Sequence, residues 1–132
     1  MRSILLVDDN IELVSLYKRV LVMMGGYTIA GIAHRGDDAI KLYREMKVKP
    51  DLIIMDVNMP GIDGISAADE ILRYGGCKTK ILFATSDYIY NKDLPPELSG
   101  SCIIQKPFSI SEFLQAVKMC IMEKPETEII AL

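Results

Sequence analysis

Five short apolar runs, at residues 4–7, 28–33, 52–55, 81–84 and 102–104, punctuate this chain. They are rich in Ile, Leu and Val and hardly alternate with polar residues, which is what strands covered by helices on both faces require. Between them the apolar residues fall at helical spacing. Leu13, Leu16, Tyr17, Val20, Leu21 and Met24 recur at three- and four-residue steps and are followed by Gly25-Gly26, a helix stop. Ala39, Leu42, Tyr43 and Met46 repeat the pattern ahead of Pro50, and Ile65, Ala68, Ile71 and Leu72 repeat it ahead of Gly75-Gly76. Phe113, Leu114, Val117, Cys120 and Ile121 form the last such stretch, with Ser109 or Ser111 as N-cap.

Strand and helix therefore alternate about five times, which implies right-handed βαβ units. The fold class is α/β: a five-stranded parallel sheet, doubly wound as a (βα)5 sandwich. Strand order 2-1-3-4-5 is expected, because its switch point sets the ends of strands one and three side by side. One segment breaks the rhythm. Between Thr85 and Cys102 the chain offers Tyr88, Ile89 and Leu94 as apolar anchors but carries Pro95-Pro96 in its middle. Proline inside a helix removes a hydrogen bond and collides with the preceding turn, at about 3 kcal/mol. A fourth helix here should be short, disrupted or absent.

At 132 residues the chain has the length of one domain with a sizeable core. Its net charge of −3, with Lys and Arg scattered rather than gathered in a stripe, argues against direct nucleic-acid binding. Cys77, Cys102 and Cys120 are odd in number and far apart, which suits neither a disulfide framework nor a zinc site. The apolar run near the N-terminus is too short for a signal peptide, and no stretch approaches a membrane span, so no membrane association is expected and cytoplasmic localisation is the default.

Polar residues stand where the runs end. Asp8-Asp9 follows the first, Asp56 the third, Thr85 the fourth and Lys106 the fifth. In an open parallel sheet these ends share one edge, so acids, hydroxyl and ammonium would meet in one crevice. Two close carboxylates repel unless a cation compensates, and Mg²⁺, which favours oxygen ligands and keeps several waters, is the natural candidate. Asp8-Asp9-Asn10 after a strand is also an ordinary helix N-cap. The loop 57–64 is tightly specified: Pro60-Gly61 suits a turn, Gly64 permits positive φ, and the Asn58 carbonyl could face a metal. Lys106 precedes Pro107, and a cis bond there would turn its ammonium into the crevice. A solvated turn lysine is the plain alternative.

V-D-D-N at 7–10, D-V-N-M-P-G-I-D-G at 56–64, A-T-S at 84–86 and Q-K-P-F at 105–108 together resemble the receiver domain of two-component response regulators, the CheY-like superfamily of flavodoxin-like sandwiches. The resemblance runs from Ser3 to about Glu123, which implies a receiver domain over 1–123 and a tail or the start of a linker over 124–132. It implies that Asp56 accepts a phosphoryl group from a histidine kinase or phosphotransfer protein. Asp9, Asp56 and the Asn58 carbonyl would hold Mg²⁺, with Asp8 acting mainly through metal-bound water. Lys106 would pair with the carboxylate and then with phosphoryl oxygens, and Thr85 would move to bond the acyl phosphate. Such a protein is a signalling domain that catalyses only its own phosphotransfer and dephosphorylation and regulates a downstream target or output domain. Asn58 and Asp87 occupy the positions that tune hydrolysis in this family, which implies a phosphorylated lifetime of minutes or less.

Two features depart from the family. An aromatic residue usually stands three positions before the lysine; here it is Ile103, which has no ring to swing between exposed and buried positions. With Pro95-Pro96, this keeps open a pseudo-receiver that binds partners constitutively, without phosphorylation. His34 is expected on the surface, away from the crevice, Phe108 as a packing anchor, and the eight Met residues as core filler. A phosphatase of the haloacid-dehalogenase type would need D-x-D after the first strand, and an FMN binder a Ser/Thr/Gly-rich loop there. Asp8-Asp9-Asn10 is neither.

Overall fold

The computed structural model of the chain describes residues 2–73 and 78–122. Strands β1 (Ser3–Val7), β2 (Thr28–Ala33), β3 (Leu52–Met55), β4 (Lys80–Thr85) and β5 (Cys102–Gln105) form one sheet in the order β2-β1-β3-β4-β5. Every neighbouring pair is parallel. Helices α1 (Ile11–Met23), α2 (Gly36–Glu45), α3 (Gly64–Arg73) and α4 (Ile110–Ile121) cover it.

Successive strand residues point to opposite faces, and this divides the core in two. Leu5, Val7, Ile53, Met55, Ile81 and Phe83 pack with Ala39, Ile40, Tyr43, Ala67, Ala68 and Ile71 from α2 and α3. Ile4, Leu6, Leu52, Ile54, Leu82 and Ala84 pack on the other face with residues of α1 and α4, such as Val14, Leu21, Val117 and Cys120. Strands β1, β3 and β4 are thus buried on both sides, which accounts for their unbroken apolarity. The edge strand β2 alternates between exposed and half-buried positions.

Capping fixes where the helices begin. Asn10 Oδ1 accepts the Leu13 N–H at 3.0 Å, so α1 starts directly after the acids that end β1. Ser109, not Ser111, caps α4: its hydroxyl accepts the Glu112 N–H at 3.0 Å while Glu112 accepts the Ser109 N–H at 2.8 Å. Gly26, at φ +73°, turns the chain away from α1. Between β4 and β5 stand two single 3-10 turns, Asn91–Asp93 and Pro96–Leu98, in place of a helix. Pro95 is extended, as a residue before proline must be, and Leu94 and Leu98 are buried in the α2/α3-side core. Gly75-Gly76, Cys77 and the stretch 124–132 lie outside the described residues. Among the described residues, no helix is long and apolar enough to cross a membrane.

Candidate functional site

Register brings the acids together. Val7 pairs with Met55, so Asp8 and Asp56 leave β1 and β3 as neighbours; Asp56 N–H donates to Val7 O at 2.9 Å and Asp8 N–H to Ala33 O at 3.1 Å. One carboxylate oxygen each from Asp8, Asp9 and Asp56 lies within 4.8 Å of the others. Asp8 and Asp56 are buried and Asp9 is exposed at the mouth.

Lys106 enters from two strands away. Its N–H donates to Thr85 O at 2.7 Å, extending the β4–β5 ladder by one residue, and its peptide with Pro107 is cis. Its Nζ lies 3.1 Å from Asp8 Oδ2 and 3.7 Å from Asp56 Oδ1. Asp8 Oδ1 accepts the Asn10 N–H at 2.9 Å, so both oxygens of Asp8 are engaged.

One ammonium against three carboxylates leaves the pocket short of positive charge. Burial, then the Asp8 charge, push the Asp56 carboxyl up to about 6, against the Lys106 ammonium and the Asn58 N–H, which pull it down. A divalent cation with a preference for oxygen would supply what is missing, so the donor set fits Mg²⁺.

A hydrogen-bond chain crosses the crevice from the β3 loop to the segment after β4. Asn58 Nδ2 donates to Asp87 Oδ2 at 2.7 Å, and Asp87 N–H donates to the buried Thr85 Oγ1 at 3.0 Å. Gln105 Nε2 holds the same segment through Ser86 O at 2.7 Å. The Thr85 hydroxyl acts here as acceptor, and its own proton is not used in that bond. Ile103 is half-buried against the α2/α3-side core.

Several expectations require correction. Met23, Met24, Met119 and Met122 are exposed rather than core filler, and Tyr88 is exposed rather than an apolar anchor. Gly64 does not have positive φ; that conformation belongs to Gly61, at +84°. Gly64 is needed because a Cβ there would lie 1.9 Å from the Asp56 main-chain oxygen, while its N–H donates to Val57 O at 2.8 Å. His34 is not remote from the crevice: Nδ1 lies 2.9 Å from the Asp8 main-chain oxygen. A carbonyl can only accept, so Nδ1 carries the proton. No spacing rule joins residues 8 and 34. Only the β1–β2 pairing, Val7 opposite Ala33, would have exposed this contact.

A family model described as the response regulator receiver domain matches residues 4–118. Transcriptional regulatory protein PdtaR of Mycobacterium tuberculosis is 34% identical over 123 residues, 91% of this chain and 57% of its own length. The chain thus spans little more than half of that relative. The Bacillus subtilis protein CcdB is 34% identical over 120 residues, covering 89% of this chain and 95% of that protein. Among solved structures, the non-phosphorylated HemR receiver domain from Leptospira biflexa matches with a TM-score of 0.78 at 27% identity, over 95% of this chain and 98% of that one.

Proposed function

This chain belongs to the response regulator receiver family, a module of two-component signalling, and from that premise we propose that it is a phosphorylation-dependent switch whose acceptor is Asp56. One observation carries the reading: the Lys106 ammonium stands 3.1 Å from Asp8 and 3.7 Å from Asp56 in a pocket that gathers a third acid, Asp9. The donor is the phosphohistidine of a histidine kinase or phosphotransfer protein in the cytoplasm.

In the proposed reaction an Asp56 oxygen attacks phosphorus, the P–N bond to the donor imidazole breaks, and an acyl phosphate forms on Asp56. Asp9, Asp56 and the Asn58 carbonyl would hold Mg²⁺, and Asp8 would reach it through water. The ion would neutralise charge on the transferring group. Lys106 supplies the fixed positive charge opposite, and Thr85 has a proton to donate to a phosphoryl oxygen. Water then attacks the acyl phosphate and restores the carboxylate, so the only catalysis is self-directed.

Movement of Thr85 toward the phosphoryl group would give up the bond it accepts from Asp87, and with it the Asn58–Asp87 link. The state of Asp56 would in this way reach residues 87–101 without an aromatic residue at position 103. The recipient is a partner or an output domain; with a net charge of −3, this segment itself is no nucleic-acid reader.

The test is intact mass after incubation with Mg²⁺ and acetyl phosphate. Wild type should gain one phosphoryl group and Asp56→Asn none. No uptake by wild type would instead support the pseudo-receiver, which holds its partners without modification.

A further inference from the structure

Tyr17 sits mid-way along α1, only 4% exposed, with its ring stacked on Phe113 at a centroid distance of 4.6 Å and facing Phe108 at 6.2 Å. Its hydroxyl has no hydrogen-bond partner among the described residues. Burying a hydroxyl without a partner is unfavourable, and buried polar groups are therefore nearly always satisfied by protein or by water. A phenylalanine would fill the same ring space without that cost. Neighbouring buried positions on the helix, Val14, Val20 and Leu21, are apolar.

The hydroxyl has a direction. Long side chains on a helix lean toward its N-terminus, and α1 begins immediately after Asp8, Asp9 and Asn10. The phenol thus leans toward the carboxyl edge of the sheet. Both the Asp8 and Asp56 carboxylates act on it electrostatically and add to burial in holding its proton well above the usual phenol range. Phe108, two residues beyond Lys106 in the chain, closes the aromatic cluster, with its ring 5.6 Å from that of Phe113.

We propose that Tyr17 is a positioning residue of the acid pocket, whose O–H donates through a bound water toward the Asp8 and Asp56 carboxylates and sets their orientation for a divalent cation. This rests on the reading of the pocket as a Mg²⁺ site. Residues that orient ligating carboxylates commonly affect metal affinity by an order of magnitude or more.

The full chain, wild type and Tyr17→Phe, is titrated with Mg²⁺ by calorimetry, and the wild type labelled with ¹³C at the tyrosine ζ carbon is followed by NMR. Among six tyrosines, the Tyr17 resonance is identified by its loss in the variant. It should move when Mg²⁺ is added, and the variant should bind the ion about tenfold more weakly with no rise in its urea midpoint in Mg²⁺-free buffer. Equal affinity with an unmoved resonance overturns the proposal, as does equal affinity with a raised urea midpoint, the signature of an unpartnered core hydroxyl. Site-specific labelling of Tyr17 in the wild type keeps the NMR arm decisive should the variant not fold. Failure of wild type to bind Mg²⁺ brings down the pocket reading together with this one; binding by wild type with an indifferent variant brings down this one alone.

Discussion

Asp56→Asn keeps the shape of the acceptor and removes its charge, so it separates chemistry from electrostatics. Burial and the Asp8 carboxylate push the Asp56 carboxyl up to about 6, whereas in the unfolded chain it titrates near about 4. A gap of about two units corresponds to about 3 kcal/mol. The raised value means that the folded state holds this proton more tightly than the unfolded state does. Native stability is therefore greatest, as far as this group is concerned, below about pH 4, and falls as pH climbs through about 6. Asparagine cannot ionise and escapes the loss. In Mg²⁺-free buffer the stability advantage of Asp56→Asn over wild type should exceed its value at pH 4 by up to about 3 kcal/mol at pH 7.5, a change in melting temperature of about 10 °C. Adding Mg²⁺ should shrink the difference at pH 7.5, because the ion supplies the missing charge to the wild type alone. Urea melts at both pH values, with and without Mg²⁺, give the double difference. An advantage that is the same at both pH values, or larger at pH 4, refutes the electrostatic account of the pocket.

Lys106→Ala removes the ammonium that stands 3.1 Å and 3.7 Å from two carboxylates. With the lysine side chain 20% exposed, the loss in Mg²⁺-free buffer should be about 1–2 kcal/mol in urea melts, with tighter Mg²⁺ binding and reduced phosphoryl uptake. Asp87→Ala releases the Asn58 amide and removes a carboxylate able to orient an attacking water, so the acyl phosphate should decay several-fold more slowly than in wild type, whose own decay should be complete within minutes. An hours-long wild-type decay, followed by phosphate release, would contradict this. Gly64→Ala forces a methyl to within 1.9 Å of the Asp56 main-chain oxygen; α3 must shift, with a loss of about 2–4 kcal/mol in urea melts and impaired phosphoryl uptake, while unchanged stability would refute the close-approach role.

The strands, the helices and the two-sided core were legible because they follow from local pattern, whereas the sheet order followed from the switch point that sets the ends of strands one and three side by side. Strands buried on both faces must be apolar throughout, helices must show a period near 3.6, and the two signals alternate without overlap. The broken segment after Thr85 was legible for the same reason: Pro95-Pro96 acts on its own neighbours, and the 3-10 turns that flank Pro95 are its local consequence. Boundaries moved by one residue at β1, β4 and β5, where polar residues such as Ser3, Lys80 and Gln105 join ladders that apolarity alone does not mark.

The residues of the crevice were legible one at a time, each as the polar end of an apolar run, but the bonds among them were not. Asn58 meets Asp87 across 29 positions, His34 meets Asp8 across 26, and Lys106 meets Asp8 across 98. Such contacts depend on register between separate strands, and register is a property of the assembled sheet. Tyr17 shows the limit from the other side. Helical periodicity assigns it to the core correctly, yet the same periodicity is satisfied by any large apolar residue and is silent about a single oxygen. That oxygen is the part periodicity does not explain. A core selected only for packing would omit it, since its desolvation is a loss that no contact among the described residues offsets. The proposal above gives that oxygen a role: the phenol answers to the acids of the pocket as well as to Phe113, on which its ring stacks.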